Sequence, residues 1–134
     1  MNKPCFYRVS VKGVVVDQDG RVLLAREKDG WWDMLGGGLE HDEDPRAGLT
    51  REVLEETGLT VASISDRPLY FITGANATGE VAVANVIYQI ELDSLDLTPS
   101  DECQELRFVN ADEMRELKIL PIVRKLADQL EQSR

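Results

Sequence analysis

The chain has 134 residues, of which 43% are hydrophobic and 30% charged, a balance that suits a folded domain with a real core rather than a disordered chain. Its formal net charge of −10 provides no basic footprint for neutralising phosphates, so a binder of polymeric nucleic acid is not expected. A small anionic ligand that arrives with a divalent cation stays compatible, because the cation inverts the local sign.

The N-terminal MNKPCFYRVS has no apolar signal-like run, and no stretch approaches membrane-spanning length. Cys5 and Cys103 lie far apart without metal-ligand spacing, so two reduced thiols and a cytoplasmic location are expected. The stretch FYRVSVKGVVVDQDGRVLLARE reads as two β-rich runs joined by Asp19-Gly20, a pair that suits a hairpin turn. GWWDMLGGGLEHDED follows as a glycine-rich connection, with Gly36 to Gly38 open to backbone angles closed to other residues.

Asp44 then suits an N-cap, Pro45 the first helical position and Gly58 the residue past the end, which predicts a helix over 45–57. LTVASIS and RPLYFITG read as strands, ANATG as a turn and EVAVANVIYQIEL as a long strand. LDSLDLTPSDECQ reads as a loop and ELRFV as a short strand. Asn110 with Glu113 forms a capping-box pattern for a helix over 111–118, and Pro121 opens a last amphipathic helix. Strands and helices mix without strict alternation, and no linker or repeat divides the chain. One α/β (α+β) domain over 1–134, with a mixed sheet and helices packed on it, is expected.

On the 45–57 helix, Glu52, Glu55 and Glu56 fall within an arc of roughly 100°. Leu49, Val53, Thr57, Thr50, Leu54 and Ala47 fall on an adjoining arc that can face a core. Gly48 lies in the acidic arc at a cost of about 1 kcal/mol against alanine, so close approach of a ligand or a neighbouring backbone is one explanation. Exposed like-charge pairs cost only about 0.2–0.5 kcal/mol each, so a solvated acidic face is tolerated. A site for a hard cation uses the same residues, since carboxylate oxygens suit Mg²⁺, Mn²⁺ or Ca²⁺. Spacing within the helix leaves both readings open.

The wider window separates them. Gly37, five residues, Glu43, seven residues, then Arg51-Glu52-Val53-Leu54-Glu55-Glu56-Thr57-Gly58-Leu59 fills every specified position of Gx5Ex7REUxEExGU, with U aliphatic. The chain therefore resembles the Nudix hydrolases of MutT type. The resemblance implies an α/β/α sandwich in which a loop, helix and loop hold a divalent metal, Mg²⁺ or Mn²⁺, against a pyrophosphate. It implies Glu52 and Glu56 as main metal ligands, Glu55 as a third, and Glu52 as the group that orients or deprotonates the attacking water. Glu43 would pair with Arg51 as a brace, Gly37 would approach the metal through its backbone, and Gly58 would end the helix. Glu40 would be an additional acid at the cleft edge.

Two positions depart from the family pattern. Leu35 stands where proline is common, and Asp42 where glycine is common just before the first box glutamate. Beyond the box, Asp101, Glu102 or Glu105 could supply an acid from the opposite side, and Arg8 and Arg26 could reach substrate phosphates. Trp31 could stack on a base or cover the core, and Trp32 resembles the family's packing tryptophan. His41, alone in an acidic loop, has nothing nearby to orient it as a base. The expected reaction is hydrolysis of the pyrophosphate linkage of a nucleoside diphosphate joined to a group X, foremost a nucleoside triphosphate. An ADP-ribose or nucleotide-sugar pyrophosphatase and a catalytically silent nucleotide-binding module are the alternatives. The partner is a small nucleotide, with no membrane, and the resemblance allows a homodimer.

Overall fold

Among residues 3–133, which the computed structural model describes, there are eight strands and three helices. Arg8–Val14 (β1), Val22–Arg26 (β2), Trp32–Asp33 (β3) and Leu35–Gly38 (β4) precede the helix Pro45–Thr57 (α1). Val61–Ile64 (β5), Tyr70–Ala75 (β6), Ala82–Leu92 (β7) and Glu105–Val109 (β8) follow, then Ala111–Glu116 (α2) and Pro121–Gln132 (α3).

The larger sheet is mixed. β1 runs antiparallel to β4 and parallel to β7, and β5 and β6 pair antiparallel with β7 along its other edge. The smaller sheet, β3-β2-β8, is antiparallel throughout. Side chains alternate across each strand, and this sends them into two separate cores. Val11, Leu23 and Ile90 pack with Leu49 and Val53 of α1. Val14, Leu24 and Ile87 pack with Met114 of α2 and with Ile122 and Leu126 of α3. The result is the expected α/β/α sandwich, each buried aliphatic side chain contributing about 1.5–3 kcal/mol of burial.

Several local expectations change. The Asp19-Gly20 turn forms, with Gly20 at φ 79° and Val16 bridged to Val22. Its two strands then part into different sheets, because β1 is claimed by β4 and β7 and β2 by β3 and β8. The glycine-rich connection holds two strands: Gly36, Gly37 and Gly38 are extended and paired with Lys12, Val11 and Ser10. The helix expected to reach 118 ends at Glu116, closed by a bond from Leu117 N to Met114 O. Cys5 and Cys103 are free thiols, as expected, and burial pushes the Cys103 thiol up to about 11. Among the described residues no helix is long and apolar enough to cross a membrane.

Candidate active site

α1 begins and ends where its capping residues dictate. The Asp44 side chain accepts from Ala47 N at 3.0 Å, and Gly58, at φ 73°, returns its N–H to Leu54 O at 2.8 Å. Leu49, Val53 and Thr57 are buried against the sheet. Leu54 is 52% exposed and Ala47 is exposed as well, so the core-facing stripe is narrower than the arc predicted. Gly48 is buried, and its reason is neither ligand nor backbone. A Cβ there would stand 2.7 Å from Leu39 Cδ2 and 2.9 Å from Glu43 Oε1, so the glycine makes room for the loop that precedes the helix.

With that stripe fixed, Glu52 and Glu56 project toward β4, while Glu55 is exposed at the cleft. Glu52 and Glu56 press directly on the glycines of that strand. A Cβ on Gly37 would lie 2.6 Å from Glu52 Oε2, and Gly36 N donates to Glu56 Oε1 at 2.6 Å. Arg51 ties the ends of the loop together. It donates through Nε and Nη2 to both oxygens of Glu43, at 2.7 and 2.9 Å, a bidentate fork. It also reaches Glu52 at 3.1 Å, Glu55 at 3.2 Å and Gly38 O at 3.4 Å. The hydrogen bonds from Arg51 hold the Glu43 carboxyl at about 2, and those same bonds raise the guanidinium further above its ordinary value.

A buried ion pair, unremarked in the sequence, lies beneath this loop. Lys12 Nζ donates to Asp33 Oδ2 at 3.2 Å and to Gly36 O at 3.1 Å. Burial alone would lower the Lys12 ammonium, but the Asp33 and Glu56 carboxylates outweigh it and raise it. Glu56 shows the converse. Burial pushes its carboxyl up to about 8, against the lowering pull of Lys12 and of Gly36 N–H. A lysine inside the apolar run VSVKGVVV was the available signal for this pair.

The acids line a cleft of about 700 Å³ that Glu27, Lys28, Asp29, Asp101 and Glu102 also border. Burial, followed by the charge of Asp33, raises the Glu27 carboxyl. Among the described residues no three ligating side chains stand close enough together to hold an ion as they are placed. Their chemistry nevertheless fits a hard cation: three carboxylates from one helix face, a Gly37 whose missing side chain lets the Glu52 carboxylate close on β4, and a Glu56 carboxyl that burial pushes up to about 8. Closing that set requires Glu52 and Glu55 to swing off Arg51.

The remaining sequence candidates scatter. Asp101 and Glu102 reach the cleft. Glu105 instead pairs with Arg26 and Arg107. Arg8 lies over Gly38 and donates to Leu39 O at 2.5 Å, beside the loop. Arg26 is held by Gln104 at 2.8 Å and sits over the Trp32 ring. Trp32 is buried in the core, while Trp31 stacks under Lys118, 4.5 Å from its ring centre. Glu40 and His41 are exposed. Leu35 is fully buried as the first residue of β4, and Asp42 takes φ 60°, the left-handed conformation that glycine adopts without strain. Both departures are thereby accommodated in the fold.

This chain is 54% identical over 59 residues to a MutT-like protein of Streptomyces ambofaciens, covering 43% of the chain and 38% of that protein. It is 36% identical over 56 residues to a CTP pyrophosphohydrolase of Escherichia coli K12, covering 38% of the chain and 42% of that protein. The chain thus matches less than half the length of these relatives. Its fold superposes on a MutT protein of Methanosarcina mazei with a TM-score of 0.77 and 24% identity, over 99% of this chain and 97% of that one. The NUDIX domain family model matches residues 6–130, and the chain belongs to the Nudix family.

Proposed function

We propose that this protein is a Mg²⁺- or Mn²⁺-dependent pyrophosphohydrolase of nucleoside triphosphates or closely related nucleotides. The observation that carries this reading is the placement of Glu52 and Glu56 on one face of α1 against Gly37 and Gly36, with Glu55 beside them lining the same cleft. The similarity to proteins named as pyrophosphohydrolases supports it.

A divalent cation, when bound, would supply charge neutralisation on the pyrophosphate oxygens and lower the pKa of a water nucleophile. Glu56 and Glu52 would hold the cation, and Glu55, the most exposed of the three, would be available as a third ligand on leaving Arg51. Glu52 takes the proton of the attacking water at its carboxylate. Arg51, anchored by Glu43, fixes the helix against the loop so that the acids keep their distance from β4. Lys28, paired with Asp101 at 3.6 Å, is the one cationic side chain among the acids that line the cleft, so a bound divalent cation would supply most of the charge compensation.

The test is a nucleotide screen with Mg²⁺ and Mn²⁺, reading phosphate after a coupled phosphatase. Turnover of at least one nucleoside triphosphate is expected, with near-complete loss in Glu56→Gln. Unchanged turnover in both Glu52→Gln and Glu56→Gln would sink the assignment.

A further inference from the structure

Among the described residues that line the acidic cleft, Lys28 is the single cation. It stands on the turn between β2 and β3, and that turn is pinned from several directions. Glu27 N donates to Trp31 O at 2.8 Å, Gly30 N donates to Glu27 O at 2.9 Å, and Gly30 takes a φ of 91° that glycine adopts without strain. The segment after α2 grips the turn as well. Lys118 donates from Nζ to Asp29 O at 2.9 Å and lies over the Trp31 ring, while Trp32 N donates to Lys118 O at 2.9 Å. The backbone that carries Lys28 is therefore fixed.

Its side chain is not. Lys28 Nζ meets Asp101 Oδ2 at 3.6 Å, and the two side chains are 71% and 81% exposed. A pair this open contributes about 0–1 kcal/mol, too little to serve as a structural tie. The separation is also too long for a hydrogen bond, so Asp101 takes none of the three N–H donors of the ammonium. Asp101 belongs to the loop between β7 and β8, which Gln104 sets beside the turn by donating from N to Arg26 O at 2.8 Å.

The neighbouring charges narrow the ligand. Glu27 and Asp29 flank Lys28, and Asp101 and Glu102 border it from the adjacent loop, so an anion is repelled along this rim except at the ammonium. Among the end groups that a nucleoside diphosphate can carry, a terminal phosphate brings the most charge, about −1.5 to −2 at neutral pH. A sugar brings none. A triphosphate therefore gains from Lys28 what a nucleotide sugar does not.

We propose that Lys28 is a specificity-determining residue, which leaves Asp101 to bind the terminal phosphate of a nucleoside triphosphate and so favours triphosphates over nucleotides whose X is an uncharged sugar. The inference rests on the nucleotide-pyrophosphohydrolase reading given above. Its test uses the full chain as wild type, Lys28→Ala, Lys28→Arg and Asp101→Asn. Steady-state kinetics with Mg²⁺ compare ATP with ADP-ribose and UTP with UDP-glucose, pairs that share a base and differ in X. Calorimetry with inorganic tripolyphosphate and Mg²⁺ reads the terminal-phosphate contact independently of any base.

Lys28→Ala should cut the preference for the triphosphate at least fivefold, through KM rather than kcat, and weaken tripolyphosphate by a similar factor. Lys28→Arg keeps a cation and should restore most of both. Asp101→Asn releases the ammonium and should tighten tripolyphosphate by about threefold, in keeping with the small worth of an exposed pair. A structural tie would behave otherwise, since losing either partner would then weaken binding alike. Equal weakening by Lys28→Ala and Asp101→Asn overturns the proposal, as does a tripolyphosphate affinity that is absent in the wild type or unmoved by Lys28→Ala. A wild type that prefers ADP-ribose and UDP-glucose overturns it too and leaves the hydrolase reading standing. Lys28-dependent tripolyphosphate binding without turnover of any nucleotide supports the phosphate contact and overturns the hydrolase reading. The calorimetry decides the matter even if neither adenine nor uracil nucleotides are substrates.

Discussion

Lys12 and Glu56 are joined through one residue, Gly36, which accepts from Lys12 Nζ at 3.1 Å and donates from its own N to Glu56 Oε1 at 2.6 Å. A buried cation on β1 thus reaches an acid on α1 across the first glycine of β4. The clamp works only because Gly36 has φ 113° and lies flat on the β1 backbone, where an added Cβ would fall 3.0 Å from Lys12 Cα. The position of Glu56 therefore depends on a residue outside the family signature.

Removing the cation should be costly. Lys12→Met leaves Asp33 buried with an uncompensated charge, which typically costs about 3–5 kcal/mol, whereas the paired change Lys12→Met with Asp33→Leu should recover much of that loss. Urea melts of the two single variants and the double variant give the coupling directly. The pH dependence has a defined sign. Because folding raises the Lys12 ammonium above 10.5, its contribution is complete below pH 10.5 and is lost only as pH climbs through the still higher folded value. A loss of this contribution between pH 6 and 9 would contradict the pairing.

Glu56 should be held in place for function at the expense of stability. Its carboxyl, near 4.5 in the unfolded chain and about 8 when folded without metal, keeps a proton that the unfolded chain releases. Stability of the metal-free protein should therefore fall as pH rises from 4.5 to 8, with a slope of up to about 1.4 kcal/mol per unit. Glu56→Gln removes that slope while keeping an acceptor for Gly36 N. It should melt on the order of 2–4 kcal/mol more stably than the wild type at pH 8 and equally at pH 4. Divalent cation should raise the wild-type Tm at pH 8 and leave the variant's nearly unmoved. Parallel melting curves for the two proteins across this range would refute the burial argument.

Much of the fold and the site is legible in the sequence, for a physical reason. Asp44, Pro45 and Gly58 act through local backbone chemistry, so the helix over 45–57 is readable with both of its ends. The glutamates and Gly37 follow from fixed spacing on that helix and its loop. Other features depend on which distant strand pairs with which. Gly36 to Gly38 form a strand only because β1 is available to pair with them, and β2 leaves β1 only because β8 returns beside it. The same holds for Lys12 with Asp33 and for Asn85 of β7, whose neighbours come from other strands and whose buried Oδ1 has no partner among the described residues. Local pattern cannot show that a polar residue in an apolar strand will be buried without a partner.

The brace between Glu43 and Arg51 predicts that lysine is no substitute. Arg51→Lys keeps the charge but loses the fork to Glu43 and the simultaneous reach to Gly38 O, which together tie the helix to the loop. It should lower kcat at least tenfold while the far-UV circular dichroism stays native. Glu43 gives the matching pH signature. Its folded carboxyl near 2 lies below the ordinary 4.5, so the pair's stabilisation is present above pH 4.5 and is lost as pH falls toward 2. Glu43→Gln should flatten that part of the acid-unfolding curve. An acid limb identical to that of the wild type would show that the fork contributes nothing.

Adjacent glycines on β4 should respond in opposite ways to the same methyl group. At Gly36, alanine must adopt φ 113° and press into the backbone of Val11 and Lys12, which has no freedom to move, so Gly36→Ala should destabilise the fold by several kcal/mol, above the ~1–3 kcal/mol of backbone strain alone. At Gly37 the new Cβ would meet the carboxylate of Glu52, at 2.6 Å from Oε2 and 3.1 Å from Oε1, the far end of a flexible side chain. Glu52 can swing aside at small cost, so Gly37→Ala should keep a Tm close to that of the wild type. The displaced carboxylate would no longer stand beside the loop, and metal-dependent turnover should fall at least tenfold. Melting and turnover measured on both variants separate the two roles. A Gly37→Ala protein that unfolds like Gly36→Ala would mean that the glycine serves β4 rather than Glu52. One that keeps full turnover would mean that Glu52 does not act from this position.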